Sequence, residues 1–389
     1  MTKLEQLINE LCPNGAKFVA LEECCKILDN KRKPVTKAAR QAGEYPYYGA
    51  NGIQDYVSDY IFDGIFVLVG EDGSVVTPSG NPVVNWATGK IWVNNHAHII
   101  EEKDGVLLRY LYHYLQTVNV SALIHGNIPK LTGGDFRAIK VPVPPLPVQS
   151  EIVRILDNFT ELTAELTAEL TARKQQYAHY RDTLLKLDNN VPSYTLKDIC
   201  LSIADGDHMP PPKADSGVPF ITISNITETR QIDFSNVMYV PREYYDKLAD
   251  KRKAKRDDIL YTVVGSFGIP VHISSKTEFV FQRHIAILRP NQQMIVPRYM
   301  YHIMQSTEFY KQADKAAKGA AQRTIGLSSL GNMTIPLPSI EEQKRIVAIL
   351  ARFDTLCNDI SAGLPAEIEA RQKQYEYYRD KVLTFEPAK

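Results

Sequence analysis

Basic, amide and aromatic side chains are concentrated in a few short stretches of the sequence, two of which contain glycine or proline. Lys31, Arg32 and Lys33 precede a proline, and 45–52 combines tyrosines with glycine and asparagine. In the second half, 251–256 reads KRKAKR. Ammonium and guanidinium groups neutralise phosphates and amides read base edges, so these residue types have the chemistry of a nucleic-acid interface. For each run a solvated surface loop is the alternative, which the sequence leaves open.

The candidate residues for contact with a nucleic acid lie in both halves of the chain. In the first half they are Lys31, Arg32, Tyr48, Asn51, Asn95, Asn127 and Lys130. In the second half they are Lys213, Asn225, Arg252, Lys253, Ser266, Arg283, Lys318, Gln322 and Arg323. They are chosen by residue type and loop position, because recognition loops follow no readable sequence code.

The common catalytic motifs are missing from the sequence. It has neither GxGxxG nor GxxxxGK[ST], so no phosphate loop is predicted, and H-E-x-x-H and G-x-S-x-G do not occur. His96 and His284 have the chemistry of general bases, but each precedes an apolar strand, where a structural or loop-capping histidine is expected. The five cysteines form no C-x-x-C pair, which indicates reduced thiols in a cytoplasm and argues against a zinc site. We therefore predict no catalytic residue and no bound metal.

Composition is that of an ordinary folded protein. The 389 residues are 44% hydrophobic and 23% charged, which fits two or three domains. Lys and Arg together number 45, as do Asp and Glu, so only local patches could support nucleic-acid binding. No apolar run approaches the ~18 residues of a membrane helix. The N-terminal segment carries acidic residues and is not expected to be a signal peptide.

One stretch of the sequence occurs twice and organises the chain. Residues 142–162 match 336–356 at an offset of 194, and 172–182 match 370–380 at an offset of 198. Both copies place apolar residues three and four positions apart, the spacing of an amphipathic helix. A repeat of this length indicates two related halves.

The first copy predicts an unusually long helix over 148–187. Neither glycine nor proline interrupts it, and at ~1.5 Å per residue it would be ~60 Å long. Its single apolar seam needs a partner helix, which the second copy supplies. Gly363-Leu364-Pro365 interrupts that second copy and predicts two helical pieces, roughly 341–361 and 365–384.

Each helical stretch follows a block of mixed sequence, which predicts an α+β (mixed α/β) fold with two similar globular domains. The predicted boundaries are 1–147 for the first domain, 148–188 for the central helix, 189–338 for the second domain and 339–389 for the C-terminal helical region. Buried strands are predicted at 64–69 and 258–264, and Thr88-Gly89 is predicted to be a hairpin turn between Trp86 and Trp92. The shared order of elements predicts one scaffold with different loops.

Each block closes in a proline-rich segment followed by Gln and IV-x-IL-x-x-F, and in this the chain resembles the DNA-specificity (S) subunits of type I restriction–modification systems. The resemblance covers nearly all 389 residues. The TAEL units at 163–166 and 167–170 and the QKQYEYYRD segment are similar to the spacers of one subgroup of these subunits.

The resemblance implies a non-catalytic DNA reader. Each domain would read one half of a split target, and two long antiparallel coiled-coil helices with a pseudo-twofold repeat would separate the domains. Two methyltransferase (M) subunits would dock on the helices and restriction (R) subunits would join through them. S-adenosylmethionine, ATP and Mg would then be bound by these partners and not by this chain. The implied docking and spacer residues are Ile152, Leu156, Phe159, Leu166, Tyr177, Tyr180, Arg181, Ile346, Leu350, Phe353, Tyr375, Tyr378 and Arg379.

Two other classes of function stay open. One is a coiled-coil scaffold whose globular domains bind protein rather than DNA. The other is a self-contained enzyme that acts on DNA, against which the missing motifs weigh. Binding to duplex DNA in the presence of a methyltransferase partner would separate the DNA reader from the scaffold.

Overall fold

The chain folds into two compact units. The computed structural model describes residues 2–73, 75–187, 190–206, 211–227, 229–320, 322–358 and 363–388. The first unit combines Met1–Ala164 with Ala370–Lys389, and the second unit is Glu165–Glu369. Within the described ranges, no helix is both long enough and apolar enough to cross a membrane.

Most of the helices are short, and the long ones belong to the repeated stretch. The α-helices are α1 (Lys3–Leu11), α2 (Leu21–Cys24), α3 (Leu108–Leu115), α4 (Gly133–Ala138), α5 (Leu146–Leu184), α6 (Leu196–Ile199), α7 (Arg242–Asp246), α8 (Pro297–Met304), α9 (Thr307–Ala316), α10 (Leu327–Gly331), α11 (Ile340–Asn358) and α12 (Leu364–Leu383). Short 3₁₀ turns lie at Asp29–Lys31, Lys37–Ala39, Ser121–Leu123, Ile223–Asn225 and Asp250–Arg252.

The strands form separate sheets in each unit. They are β1 (Lys17–Ala20), β2 (Lys26–Ile27), β3 (Ala42–Gly49), β4 (Gly52–Val57), β5 (Phe62–Gly70), β6 (Val84–Val93), β7 (Ala97–Glu101), β8 (Ile124–His125), β9 (Lys130–Leu131), β10 (Lys140–Val143), β11 (Ser193–Thr195), β12 (Cys200–Asp205), β13 (Val218–Ile221), β14 (Met238–Val240), β15 (Ile259–Thr262), β16 (Pro270–His272), β17 (Val280–Phe281), β18 (Ile285–Pro290) and β19 (Thr334–Pro336).

The first unit is built on a six-stranded sheet in the order β2-β7-β5-β6-β3-β4. Its strand β5 is buried on both faces: Val67 and Val69 pack in the core that contains α3, while Phe66 and Leu68 pack in a second core. Burial on both faces explains why this strand reads as a continuous apolar run instead of an alternating one.

The second unit repeats the central part of this sheet. Its four-stranded sheet has the order β12-β18-β15-β16, the same succession as β2-β7-β5-β6, and a separate sheet has the order β14-β13-β17. The register agrees as well, since Leu68 lies opposite Ile99 in the first unit and Leu260 lies opposite Ile287 in the second. The prediction of two similar mixed α/β domains is confirmed.

The predicted hairpin turn at Thr88-Gly89 is wrong. Both residues lie inside β6, where Thr88 pairs with Ile65 and Gly89 pairs with Gly64 of β5. Gly89 does have a positive φ of 77°. Glycine adopts this φ without steric strain, so β6 continues through the position. Pairing with β5 along the whole strand outweighs the local turn signal.

The long helices agree with the sequence pattern. The first copy of the repeat forms α5 without interruption, and the second copy forms α11 and α12. The predicted end of the first piece of the second copy, at 361, lies outside the described residues. Pro365 is the second residue of α12, a position where the missing amide hydrogen is not needed. The TAEL segment of α5 has half-buried Leu166 and Leu170, with exposed glutamates between them.

Helical segments from both copies enter the core of each unit. In the first unit Leu156 of α5 and Leu383 of α12 are buried in one cluster, and in the second unit Leu350 of α11 is buried in another. Phe159 stacks on Tyr378 of α12 with 5.4 Å between ring centroids. Each such buried leucine contributes about 1.5–3 kcal/mol, so the helices are part of the domains.

Candidate nucleic-acid interface

In the first unit, three loops are joined by backbone hydrogen bonds where β5 ends and β7 begins. The amide of Glu71 donates to the carbonyl of His96 at 2.8 Å, and the amide of Gly73 donates to the carbonyl of Pro129 at 3.0 Å. The turn after β3 lies beside them, since Asn51 lines a cavity of about 360 Å³ together with His96. The scaffold therefore brings together loops that are far apart in sequence.

Several predicted DNA-contacting residues are exposed on these loops. Asn51, Asn95, Asn127 and Lys130 all have exposed side chains. The loop between β8 and β9 also carries Ile128, whose side chain is 70% exposed. We call these five residues the first-unit loop cluster; it combines amides, a cation and an apolar tip.

A network of charged side chains lies behind this cluster. Arg32 donates to Glu71 at 2.6 Å, and Lys130 lies 3.1 Å from the same carboxylate. Asp29 is 2.7 Å from Nδ1 of His98. The ligand atoms of Asp29, Glu71 and His98 lie within 4.8 Å of one another, as in a metal site. Because Arg32 and Lys130 already neutralise the acids, the group is better described as an ion-pair network.

The remaining first-unit predictions differ in accessibility. Lys31 is exposed on the 3₁₀ turn, whereas the Arg32 side chain is only 12% exposed. Tyr48 is 8% exposed and packs in the core beside Phe62. The side chains of Arg32 and Tyr48 are therefore part of the folded domain rather than of its surface.

The second unit holds its corresponding loops with the same hydrogen bonds. The amide of Val263 donates to the carbonyl of His284 at 2.9 Å, and the amide of Gly265 donates to the carbonyl of Arg323 at 3.0 Å. These bonds equate Gly265 with Gly73. Gly265, at the start of the turn 265–268, therefore occupies the position that Gly73 has in the first unit.

Predicted DNA-contacting residues are exposed on these loops too. They are Ser266, Arg283, Lys318, Gln322 and Arg323, which we call the second-unit loop cluster. The Arg323 guanidinium donates to Asp314 at 2.6 Å and lies 5.1 Å from the ring centroid of Phe267. The two units thus share a loop frame but present different side chains on it.

The other second-unit predictions lie outside this cluster. Asn225 is 8% exposed and donates to the carbonyl of Asn236 at 3.0 Å, so it stabilises a loop. Arg252 lies 3.4 Å from Asp205, and Lys253 donates to the carbonyl of Asp246. Lys213 is exposed.

The predicted docking and spacer residues are divided between buried and exposed positions. The buried ones are Ile152, Leu156, Tyr177, Arg181, Ile346, Leu350 and Tyr375. The half-buried ones are Phe159, Leu166, Phe353 and Arg379. Tyr180 is 44% exposed and Tyr378 is 36% exposed, so these tyrosines have surface available to a partner.

Two glutamines that sequence reasoning missed attach the helices to the domains. Gln149 accepts from the amide of Leu107 at 2.9 Å and donates to the carbonyl of Pro144 at 2.8 Å. Gln343 likewise accepts from the amide of Val296 at 2.8 Å. The repeat contained the signal, because both glutamines are among its matched positions.

Two buried histidines that were not among the predicted site residues contact tyrosines of the repeated helices. His113 lies 3.2 Å from the hydroxyl of Tyr375, and His302 lies 2.9 Å from the hydroxyl of Tyr177. The matching segments RYLYHYL and RYMYHIM contained them. In each unit the α-helix that follows the main sheet is thereby joined to the repeated stretch.

The two histidines differ in their second contact. Nε2 of His113 lies 2.8 Å from Asp157, whose position is taken by Ala351 in the second copy. Nε2 of His302 has no hydrogen-bond partner among the described residues. Burial, followed by the nearby charge of Arg298, lowers the pKa of His302 to about 3.

We expect the second unit to become less stable as the pH is lowered, because of His302. The unfolded ring titrates near 6.5 and the folded one near 3, so stability is complete above pH 6.5 and is lost as the pH falls. Below pH 6.5 the free energy of unfolding falls by up to ~1.4 kcal/mol per pH unit, which amounts to ~2 kcal/mol by pH 5. In His302→Gln, the free energy of unfolding measured with urea should lack this part of its dependence on pH.

The exposed His179 supplies the matched control. His179→Gln makes the same substitution at an exposed position and should keep the wild-type pH dependence. His272, whose pKa burial also lowers, adds to the loss in the same direction and remains in both variants. An unchanged slope in His302→Gln would show that another group dominates.

Comparison with protein families gives a match over most of the chain. Residues 13–173 and 189–370 each match the family described as type I restriction modification DNA specificity domain. A Haemophilus influenzae protein described as a type I restriction enzyme specificity subunit is 38% identical, over 99% of this chain and 98% of its own. The Escherichia coli EcoR124I/EcoR124II specificity subunit is 36% identical over 73% of this chain and 72% of its own.

Solved structures have a similar fold at low sequence identity. The S subunit of a type I system from M. genitalium has a TM-score of 0.58 at 15% identity, covering 99% of both chains. A second structure, from a study of assembly and conformational transition in the type I R-M system, has a TM-score of 0.51 at 16% identity and covers 96% of this chain and 98% of its own.

Proposed function

Because the chain belongs to the specificity subunits of type I restriction–modification systems, a non-catalytic family, we propose that each unit reads one half of a bipartite DNA target. The observation that supports this is the pair of loop clusters. Both are held by equivalent backbone hydrogen bonds, from Glu71 and Gly73 in one unit and Val263 and Gly265 in the other. A shared frame with different side chains suits two different sequences.

The chemistry of the clusters fits this role. Lys130 and Arg323 supply cations for phosphates, while Asn51, Asn127 and Gln322 supply amides that can pair with adenine edges. Both cations are only partly covered, with side chains 46% and 43% exposed. Their carboxylate partners hold them in place until a phosphate competes.

We further propose that the repeated helices form a coiled-coil spacer on which two methyltransferase subunits dock. Two partly exposed tyrosines support this. The ring of Tyr378 lies beside Phe159 in the first unit, and the ring of Tyr180 lies beside Phe353 in the second. Restriction subunits would join through the methyltransferase. S-adenosylmethionine, ATP and Mg would be bound by those partners, and the assembly would work on DNA in the cytoplasm.

The cation contacts can be tested by salt titration of DNA binding. Lys130→Ala and Arg323→Ala should each weaken the complex with a selected duplex and lower the slope of log affinity against log salt by ~1. Duplexes are first selected from a random pool by the chain with its methyltransferase partner. Binding is then measured by gel shift at several salt concentrations.

Lys26→Ala provides the matched control. Lys26 is an exposed cation 3.3 Å from Glu101, at the end of β7 away from the loop cluster, and its loss should leave the slope unchanged. If neither Lys130→Ala nor Arg323→Ala alters the slope, these residues are not at the interface. If no duplex is enriched from the pool, a scaffold that binds protein becomes the better description.

A further inference from the structure

The second unit contains a cavity of about 450 Å³ that the proposed DNA contacts do not use. Such a volume is typical of small-molecule sites, at roughly 300–1,000 Å³. The residues that line it include Thr229, Arg230, His272, Ser274, Ser275 and Arg298. Guanidinium, imidazole and hydroxyl groups are the usual partners of an anion that also carries hydroxyls.

Arg230 is held at the cavity in a strained conformation. It lies in a tight turn in which its amide donates to the carbonyl of Thr227 at 3.0 Å, and its φ is 59°. Glycine or asparagine is favoured at such a position, whereas a long side chain is strained there. Among the described residues, no carboxylate forms an ion pair with Arg230.

His272 lines the same cavity and carries a buried polar atom without a partner. Its side chain is 8% exposed, its Nε2 lies 3.1 Å from Asp257, and its Nδ1 has no hydrogen-bond partner among the described residues. Burial lowers the pKa of His272, so at neutral pH Nε2–H donates to Asp257 and Nδ1 is an acceptor.

Backbone strain in this part of the chain is concentrated around the cavity. Arg230 and Asp257 are the non-glycine residues with positive φ in the described ranges, at 59° and 71°. One lines the cavity and the other holds His272, which also lines it. Strained conformations that a fold maintains are commonly found at functional sites.

We propose that this cavity binds a small phosphate-bearing molecule of the sugar-phosphate or nucleotide class. Arg230 pairs with the phosphate, and the hydroxyls of Ser274 and Ser275, which line the same cavity, are available to the hydroxyls of the ligand. Arg298 also lines the cavity and pairs at 3.1 Å with Asp354, which lines it as well, so Arg230 is the cation that the phosphate engages. The cavity is at the end of β16 away from the turn 265–268, so it is distinct from the second-unit loop cluster.

Calorimetric titration of the full chain with AMP, and separately with inorganic phosphate, tests the site. We expect one saturable site for AMP and weaker binding of phosphate. Arg230→Gly should weaken AMP binding about 10- to 100-fold, the usual range for a lost charge-assisted hydrogen bond. Its melting temperature should not fall, because glycine relieves the positive φ.

Arg256→Ala is the matched control, since Arg256 is exposed in the same unit and does not line the cavity. Arg230→Asn also tolerates the turn and should repeat the loss if Arg230→Gly proves unstable. Absence of saturable AMP binding at millimolar concentration, or equal binding by wild type and Arg230→Gly, would overturn the proposal.

A phosphate of the DNA backbone offers the same chemistry, so the titration is repeated with duplex present. Retention of AMP supports a free small molecule as the occupant. Displacement of AMP by duplex would assign the site to DNA and overturn the small-molecule proposal. The proposed DNA-reading function is tested separately, because gel shifts of Arg230→Gly should match wild type when the occupant is a small molecule.

Discussion

Exchange of residues 1–147 for the corresponding block of a relative is expected to replace one half of the DNA target and leave the other half unchanged. The whole first-unit loop cluster, from Asn51 to Lys130, lies inside this block. Each mismatched base pair in a site costs ~1–3 kcal/mol, so several altered contacts change the preferred half-site by orders of magnitude.

The structure sets conditions on the exchanged block. The first unit also contains Ala370–Lys389, and the amide of Ala16 donates to the carbonyl of Glu386 at 2.9 Å. A Cβ at Gly15 would lie 2.3 Å from the same carbonyl oxygen, so glycine must be kept there. His113 should also be kept, because it contacts the hydroxyl of Tyr375.

The measurement is methylation-site mapping of the chimaera assembled with its partner subunits. The reciprocal exchange of 189–338 is the control and should alter the opposite half-site. Changes in both halves after either single exchange would contradict the assignment of one half-site to each unit.

Local pattern and repetition were sufficient to predict much of the fold. The uninterrupted apolar spacing from Ile152 to Leu170 predicted α5, and Pro365 marked the start of α12 within two residues. These signals are reliable because helix periodicity and proline geometry act within a few residues. The turn at Thr88-Gly89 failed because pairing with β5, some twenty residues away, decided the conformation.

The loop residues were harder to interpret because their environment depends on distant partners. Arg32 contacts Glu71, 39 positions away, and the sequence alone gives no sign of that pairing. Asn225 had the residue type of a base reader, yet its amide stabilises a loop. Whether the exposed cluster residues touch DNA stays a prediction, since exposure makes contact feasible without specifying the partner.

The TAEL segment lies between two regions of α5 that contain buried side chains. Leu156 is buried in the first unit and Tyr177 in the second, while Thr167, Ala168 and Glu169 between them are exposed. Deletion of Thr167–Leu170 therefore removes no fully buried side chain. We expect the variant to fold, because Leu162 and Leu166 keep the apolar stripe nearly in phase with the residues that follow.

The deletion is expected to shorten the unread gap between the half-sites by one or two base pairs. Four residues correspond to ~6 Å of helix and ~40° of rotation, and ~6 Å is nearly two base pairs at ~3.4 Å each. Methylation-site mapping of the deletion variant with its partners gives the new gap, and a second copy of the unit should lengthen it equally. Thr167→Ala with Leu170→Ala keeps the helix length and should leave the gap unchanged. If the gap stays the same after deletion, helix length does not set the spacing, although both half-sites could still be read by their own units.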